Sequence, residues 1–397
     1  MKLKSSKLFR FVLLIILIAA GCSNSDEMVA FKNVNLIPMT AEKIVPNQTI
    51  LIKGDRIYEI GKSDELKIPE KTKLIDGKGA YLMPGLADMH VHLKCDWPLP
   101  QLDLYLANGV TTVRDLDGRD FMLQWRDAIK AGQRTGPTIF ASSQIIWVYE
   151  KDVPERILKR KSGYESIKLY SFFSKNDFKK TMAITKEQKS YTVGHIPFAV
   201  GLDGVIAGGM NEIAHIEELI WEFVDFDRNK NLTPKEWFPY LKKAIYQQYK
   251  PSLDLKSNEI KNEYLKRIAN TVRKLESKNI SVCTTLYLDE VIIQKLFEPQ
   301  KFLEQATSAY FPQNYINSFL QGKEKHQVQF QGGEDFAPLK YAIDKMLLTE
   351  LHKAGIPLIL GTDAGTGRMG IVPGFSIHEE LRILTENCFT KNESIKT

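Results

Sequence analysis

The sequence predicts an α/β fold: a TIM or (β/α)8 barrel with a small β domain ahead of it. After residue 92 the 397-residue chain alternates between short apolar runs and helix-like stretches. This alternation is typical of parallel strands joined by crossover helices. Counted from Ala87 there are eight apolar runs, and eight strands close a parallel barrel.

The predicted barrel strands cover residues 87–92, 109–115, 138–146, 165–172, 191–196, 212–216, 280–286 and 356–363. Helices are predicted over residues 119–131, 176–188, 198–207 and 376–389. Two longer stretches, 217–278 and 287–354, are mostly helical. The sequence shows no internal repeat, so the prediction depends on the alternation alone.

The residues ahead of the barrel predict a small β domain. Residues 29–36 and 49–60 are rich in β formers, and Gly54-Asp55 interrupts the second run as a hairpin turn does. A third run, residues 73–75, ends at Asp76-Gly77. We therefore assign residues 29–80 to the β domain and residues 81–397 to the barrel.

The first 21 residues form a predicted signal peptide, with a basic start and an apolar run too short to span a bilayer. The segment Ala19-Ala20-Gly21-Cys22 resembles a bacterial lipobox, which implies cleavage before Cys22 and a lipid on its thiol. Residues 22–28 would then form a tether. The expected location is the bacterial cell envelope, at the outer membrane if the source is Gram-negative, because Ser23 follows the cysteine. The alternative is an ordinary signal peptide with an unmodified cysteine.

Composition argues against disorder and against nucleic-acid binding. The chain is 43% hydrophobic and 26% charged, as is usual for globular proteins. Four basic residues of the leader account for most of the formal charge of +6 and leave +2 without them. The other charges are mixed in sign along the chain. Cys95, Cys283 and Cys388 form no close pair, so neither a disulfide framework nor a Cys-x-x-Cys zinc site is indicated.

A histidine pair ends the first predicted barrel strand. His90 and His92 are two residues apart, and because side chains alternate along a strand, both point to the same side. Two imidazoles placed in this way can bind one metal ion. A pair of this kind also arises by chance, so the interpretation depends on further ligands at the other strand ends.

Four more polar residues lie on or at the ends of predicted strands: Lys168, His195, His215 and Asp363. The C-terminal ends of barrel strands meet on one face, so all six side chains would face one another. A lone histidine is often a satisfied core residue, and Asp363 can cap a turn. Lys168 is harder to explain, because its neighbours Ile167 and Leu169 indicate an interior that excludes unpaired charge. Together the six residues predict a metal site.

These motifs resemble the amidohydrolase superfamily, in particular its prolidase-like and imidazolonepropionase-like branch. The resemblance extends from about residue 29 to the last residue. The matching stretches are Met83-Pro-Gly-Leu-Ala-Asp-Met-His-Val-His92, Gly109-Val-Thr-Thr-Val-Arg-Asp115, Ile167-Lys-Leu-Tyr170, His195, Ala214-His215 and Gly361-Thr-Asp-Ala-Gly365. The family fold is a metal-dependent barrel flanked by a β-sandwich built from both chain ends. Because such relatives continue with further helices and strands, we expect this chain to be C-terminally truncated and its sandwich incomplete.

The resemblance implies two divalent metal ions, with zinc as the expected metal. His90, His92 and Asp363 would hold one ion, and His195 and His215 the other. Lys168, carboxylated to a carbamate, would bridge them. A water bridging the ions would be acidified to the hydroxide that attacks the scissile carbonyl.

The resemblance also implies roles for other side chains. Asp363 would take the proton of the attacking water and pass it to the leaving amine. Tyr170 would contact the substrate, although a packing role is as plausible. For Arg114 we expect a structural ion pair with Asp115 rather than a bond to a substrate carboxylate.

The predicted function is hydrolysis of C–N bonds in amides, cyclic amides or dipeptides by a membrane-anchored enzyme acting on small molecules. The sequence is compatible with a homo-oligomer. One alternative is a mononuclear deaminase-like enzyme, against which we count that Lys168 would have no task and that no glutamate stands beside His195 in the sequence. The other is a surface lipoprotein that binds a metal or ligand without turnover.

One further motif predicts local structure. Residues 225–236 match most of a calcium-loop pattern, but Lys230 stands where the sharp turn needs glycine. We interpret the segment as a helix start, with Thr233 as N-cap and Glu236 three residues later.

Overall fold

A computed structural model describes residues 27–93, 101–149, 153–160, 163–249, 257–276, 278–366 and 368–397. The signal peptide and Cys22 lie outside these residues, as does Cys95. The chain divides into two compact units, and the boundary lies between Pro84 and Gly85.

The first unit is a five-stranded sheet. It consists of β1 (Met28–Leu36), β2 (Val45–Lys53), β3 (Arg56–Lys62), β4 (Lys73–Asp76) and β5 (Tyr81–Leu82). The strand order is β3-β2-β1-β4, and β5 pairs with β1. The antiparallel β2 and β3 are joined at Gly54-Asp55, where Gly54 has a φ of 60°, so the predicted hairpin is confirmed.

The second unit contains eight parallel strands, one for each apolar run of the sequence. They are β6 (Leu86–Val91), β7 (Val110–Asp115), β8 (Thr138–Ala141), β9 (Ser166–Leu169), β10 (Tyr191–Gly194), β11 (Glu212–Ile213), β12 (Ser281–Cys283) and β13 (Leu358–Ile359). They form two sheets, of order β6-β7-β8 and β13-β12-β11-β10-β9. All strand pairs in both sheets are parallel, so the α/β class is confirmed.

Isolated parallel bridges connect the two sheets at both junctions. Beyond the end of β8, Ser142 pairs with Ser166 and Ile146 with Leu169. At the other junction Val91 pairs with Ala364. Backbone bonds accompany the bridges, among them His92 N–H to the Ala364 carbonyl at 2.8 Å.

Helices connect these strands. The α-helices are α1 (Gln101–Ala107), α2 (Asp120–Lys130), α3 (Val153–Arg160), α4 (Lys175–Glu187), α5 (Gly201–Gly208), α6 (Pro234–Tyr249), α7 (Asn258–Leu275), α8 (Tyr287–Phe297), α9 (Pro299–Glu304), α10 (Gln313–Leu320), α11 (Lys325–Phe330), α12 (Phe336–Lys353), α13 (Phe375–Glu386) and α14 (Lys391–Lys396). Two 3-10 helices, Ile216–Glu222 and Ala306–Tyr310, lie between them. In the described part of the chain, no helix is long and apolar enough to cross a membrane.

Apolar faces of these helices build the core of the second unit. In α12 the buried residues Ile343, Leu347 and Leu351 are four apart and therefore lie on one face, and the helix packs against α7 and α8. The predicted helix at 198–207 begins later, at Gly201. Gly201 has a φ of 70°, which is outside the helical region, so the turn at Pro197 cannot continue into the helix.

The segment before α6 is a helix start, as predicted. The Glu236 carboxylate accepts bonds from the backbone N–H and the hydroxyl of Thr233, at 2.8 and 2.7 Å. α6 begins at the next residue, Pro234, a favoured first helical residue. The carboxylate that a calcium loop would use is therefore bonded to the helix end.

Candidate metal centre

The six predicted ligands lie on or just beyond parallel strands of the second unit. His90 is in β6, His92 follows it, Lys168 is in β9, and His195 directly follows β10; His215 comes two residues after β11, and Asp363 four residues after β13. All six side chains are almost fully enclosed, with His195 partly buried and the other five buried. The neighbouring strands thus deliver residues from distant parts of the sequence to one place.

Three of the six form a tight group. The donor atoms of His90, His92 and Asp363 all lie within 4.8 Å of one another. Asp363 Oδ1 is 3.4 Å from His90 Nε2 and 2.8 Å from His92 Nε2. Two imidazoles and a carboxylate at these separations suit one divalent cation.

His215 and His195 extend this group along the strand ends. The His215 ring centroid lies 4.4 Å from that of His90, and the His195 centroid lies 4.9 Å from that of His215. The structure therefore brings all four predicted histidines into one continuous cluster.

Hydrogen bonds orient two of these rings. His90 Nδ1 is 2.9 Å from the Ala214 carbonyl, and because a carbonyl only accepts, Nδ1 must carry the proton. His215 Nδ1 is 3.1 Å from the Thr285 hydroxyl. With Nδ1 engaged, Nε2 of each ring is left to act as a metal ligand, the arrangement usual for metal-binding histidine.

His195 is oriented by a carboxylate that the sequence did not reveal. Its Nδ1 lies 2.6 Å from Glu218 Oε1 and 3.0 Å from the Ser171 hydroxyl. One of our arguments against a deaminase-like enzyme was that no glutamate stands beside His195 in the sequence. The structure removes this argument, because the Glu218 carboxylate contacts the His195 ring. Glu218 follows His215 by three residues, in the 3-10 helix Ile216–Glu222, so only the fold brings it to His195.

Burial keeps the imidazoles of His90, His195 and His215 neutral. It lowers the pKa of His90 and of His195 well below the ordinary value, with a further contribution from the Lys168 charge. It lowers the pKa of His215 to about 3. Neutral imidazole is the form that binds metal, so these rings need not lose a proton first.

Lys168 is buried without a partner. Its side chain is 1% exposed, and Nζ has no hydrogen-bond partner among the described residues. Burial lowers the pKa of Lys168 to about 8, although the Asp363 charge opposes this shift. A larger share of the amine is therefore neutral near pH 7 than in an ordinary lysine, and the neutral amine is the nucleophile that reacts with carbon dioxide.

Asp363 is held in an unusual backbone conformation. Its φ is 57°, in the left-handed region, and its N–H donates to the His90 carbonyl at 2.8 Å. Thr362 anchors the turn through two bonds to the buried Asp88 carboxylate, from its N–H at 3.1 Å and its hydroxyl at 2.6 Å. Strain of this kind is often found at functional sites.

Two glycines permit this turn. A Cβ on Gly361 would lie 2.6 Å from the Cβ of His90. Gly365 has a φ of 103°, and its Cβ would meet the His92 carbonyl oxygen at 2.1 Å. Only glycine allows the loop after β13 to approach the histidine pair this closely.

Asp363 is ionised in this environment. Burial by itself raises its pKa, but the neighbouring imidazoles, above all through the hydrogen bond from His92, outweigh that effect and hold the pKa well below the usual range. The carboxylate is therefore available both as a ligand and as a proton acceptor.

Tyr170 lies beside His195. The two ring centroids are 4.1 Å apart, and on its other side Tyr170 contacts Trp147, also at 4.1 Å. The structure places Tyr170 next to the candidate site, and its contact with a substrate stays a prediction.

The structure corrects the expected partner of Arg114. The guanidinium binds Glu212 through two bonds of 2.7 and 2.5 Å and the Met89 carbonyl through a third of 2.7 Å. Asp115 instead accepts backbone bonds from Leu93 and Asp117. The expected pair with Asp115 is wrong because adjacent residues of a strand point to opposite faces. The structural role of Arg114 is confirmed.

We expect the variant Arg114→Met to lower the free energy of unfolding by about 3–5 kcal/mol, because Glu212 would remain buried without its cation. Urea denaturation followed by circular dichroism measures this change. The double variant Arg114→Met/Glu212→Leu should recover most of the loss. If the double variant were as unstable as the single one, the loss would come from packing and not from the unpaired carboxylate.

Comparisons with the sequences of known proteins give short matches. No protein-family model matches the chain. The chain is 38% identical to an adenine deaminase of Staphylothermus marinus over 89 residues, 21% of this chain and 15% of that protein. It is 43% identical to an imidazolonepropionase of Alkaliphilus metalliredigens over 53 residues, 13% of each chain. The matches thus span only a small part of these curated relatives.

Solved structures match over nearly the whole chain. A Xaa-Pro dipeptidase with bound methionine in its active site superimposes with a TM-score of 0.60 at 16% identity, covering 93% of this chain and 86% of the other. The bottromycin amidohydrolase AH gives a TM-score of 0.63 at 18% identity, covering 93% and 76%. At these identities the likeness concerns the fold. The partial sequence matches and the fold matches are both to enzymes of the kind that the motifs resemble.

Proposed function

We propose that this protein is a metal-dependent amidohydrolase that cleaves a C–N bond in an amide, cyclic amide or dipeptide. The observation that carries the proposal is the buried, unpaired amine of Lys168 in a cluster with four histidines and an ionised aspartate. A lysine in this setting is costly unless its chemistry is used. Relatives of this chain include an adenine deaminase, an imidazolonepropionase and a Xaa-Pro dipeptidase, all named for reactions at C–N bonds.

We infer that the eight parallel strands form a closed (β/α)8 barrel with this site at its C-terminal end. The two sheets and the bridges at both of their junctions support closure, because each edge strand then has a partner. Active sites of such barrels lie at the carboxyl ends of the strands. The sheet of the first unit, which corresponds to the β domain predicted over residues 29–80, would be part of an accessory β-sandwich.

The donor set fits two divalent metal ions. Three buried polar atoms of the described site have no hydrogen-bond partner: His90 Nε2, His92 Nδ1 and Lys168 Nζ. Unsatisfied buried polar atoms are costly, and a cation would satisfy them. His90, His92 and Asp363 would hold one ion, His195 and His215 the other, and Lys168 as a carbamate would bridge them. Imidazole and carboxylate ligands suit zinc.

When bound, divalent ions acidify water and polarise a carbonyl. The chain's own residues supply the rest. Asp363, an ionised base at the site, would accept the proton of the attacking water and deliver it to the departing nitrogen. Tyr170 would contact the substrate beside His195, and Glu218 would hold the His195 ring in place.

The test is turnover by the zinc- and bicarbonate-loaded protein across a panel of acyl amino acids, dipeptides, cyclic amides and aminopurines. We expect release of an amine or ammonia from at least one amide class, and loss of that activity after chelation. The variant Asn392→Ala, in the terminal helix α14, is a matched control that should keep it. Absence of turnover on every class, with both metals bound, would contradict the proposal.

A mononuclear deaminase-like reaction is the second candidate. In its favour, His90, His92 and Asp363 form the one compact donor group among the described residues, and a glutamate stands beside His195. Against it, Lys168 would be buried with no task. No observation favours a lipoprotein that binds without turnover.

We further propose attachment to a bacterial envelope membrane through a lipid on Cys22. The leader sequence supports this proposal: a basic start, a short apolar run and a small-residue segment before the cysteine.

A further inference from the structure

An aromatic cluster borders the candidate metal site. It consists of Trp147, Tyr170, Phe172 and Phe238, and we call it the aromatic wall. The Trp147 ring lies 4.1 Å from Tyr170 and is nearly parallel to Phe172 at 6.3 Å, while Phe238 meets Phe172 edge-on at 5.6 Å. Tyr170 connects the wall to the site through its contact with His195 at 4.1 Å.

The segment after the strand that carries Lys168 also builds the wall. Tyr170 directly follows β9 and Phe172 lies in the turn after it, and the two ring centroids are 5.6 Å apart. Trp147 follows Ile146, which bridges to Leu169 of β9. Phe172 is supported from behind by the buried Phe198, whose ring centroid is 5.8 Å away.

Two rings of the wall are open to solvent. Trp147 is 51% exposed and Phe238 is 47% exposed, although each contacts another ring of the wall. Neither ring is needed to fill the core. Exposed aromatic rings beside a buried polar site are typical of a surface that binds an apolar part of a ligand.

The order of contacts along the site indicates which part of the substrate would face the aromatic wall. From one end to the other, ring and donor contacts run from Asp363 through His90, His215 and His195 to Tyr170 and Trp147. The proposed reaction protonates the departing nitrogen at Asp363. If that nitrogen is protonated at Asp363, the amine portion of the substrate would lie near Asp363 and the acyl portion toward the wall.

We propose that the aromatic wall binds an aryl or similarly large apolar group on the acyl side of the amide substrate. This inference rests on the proposed function. In the reaction, water adds to the carbonyl carbon, the C–N bond breaks, and the nitrogen takes up a proton. The products are an aryl-substituted carboxylic acid and an amine, and the wall should bind this acid as well as the substrate.

The kinetic test uses two amides that share one amine and differ only in a phenylacetyl or an acetyl group. We expect the wild-type protein to prefer the phenylacetyl amide by about 10-fold or more in kcat/KM, as burial of a phenyl ring on aromatic side chains allows. Trp147→Ala and Phe238→Ala should each reduce this ratio several-fold, mainly by lowering kcat/KM for the phenylacetyl amide. Trp125→Ala is the matched control, because Trp125 lies outside the wall. It is in α2, where it contacts Phe121 of the same helix and Arg134, which follows the helix.

A binding test separates this inference from the proposed function. Calorimetry with phenylacetate and acetate requires no turnover. Tighter binding of phenylacetate, lost in Trp147→Ala and kept in Trp125→Ala, would support the wall even if neither amide were hydrolysed. Turnover of both amides with equal kcat/KM, unchanged by Trp147→Ala, would overturn the wall and leave the hydrolase standing. Equal binding of both acids by wild-type protein would overturn it as well.

Discussion

Replacing Lys168 will abolish most of the hydrolytic activity and lower the metal content. We expect kcat to fall by on the order of 10²- to 10³-fold in Lys168→Ala, because the proposed carbamate that would join the two ligand groups could not form. Elemental analysis should find about one ion per chain or fewer in this variant. Acetate or propionate should restore part of the activity, since a small carboxylate fits the space the side chain vacates.

Lys168→Met is the matched control for folding. Methionine keeps an unbranched stem without the amine, and because the amine is buried without a partner, stability should not fall. We expect this variant to unfold at the same urea concentration as the wild-type protein and to be as inactive as Lys168→Ala. Wild-type activity and metal content in Lys168→Met would mean that the lysine is a structural residue.

We expect replacement of Asp363 with asparagine to lower kcat by about 10²- to 10⁴-fold, because an amide cannot take up the water proton that we propose Asp363 accepts. The fold should survive this change. Asparagine tolerates the left-handed conformation that Asp363 adopts, with its φ of 57°. Steady-state kinetics and urea denaturation measure the two effects separately.

A different result would reassign Asp363. If Asp363→Asn kept kcat within about threefold of wild type, another group would carry the proton. If it lost activity and stability together, the contacts of the carboxylate with His90 and His92 would matter for folding first.

All eight strands of the second unit were predicted from the sequence, because each strand is marked by an apolar run within a short segment of the chain. Alternation of side chains also placed His90 and His92 on one side, and the four predicted histidines do lie together with Asp363. Strand lengths were overestimated: β11 and β13 pair over two residues each, although their apolar runs are longer. Helices α1 and α3 were not predicted, since each is only about two turns long.

Contacts between residues that are far apart in the sequence could not be predicted from it. Arg114 pairs with Glu212, 98 residues away, and Glu218 reaches His195 from the 3-10 helix that follows the neighbouring strand β11. A charged residue next to apolar neighbours, as in Glu212-Ile213, signals a buried ion but not its partner. The aromatic wall likewise combines residues from three separate segments, which no periodicity reveals.

The central claim is a two-metal site bridged by Lys168, and metal stoichiometry tests it most directly. The full-length chain, purified in detergent with zinc and bicarbonate, would be dialysed and measured by elemental mass spectrometry against protein concentration. We predict about two ions per chain. One ion per chain in active protein would favour the mononuclear reaction, and folded protein that binds no metal would contradict the six-ligand site.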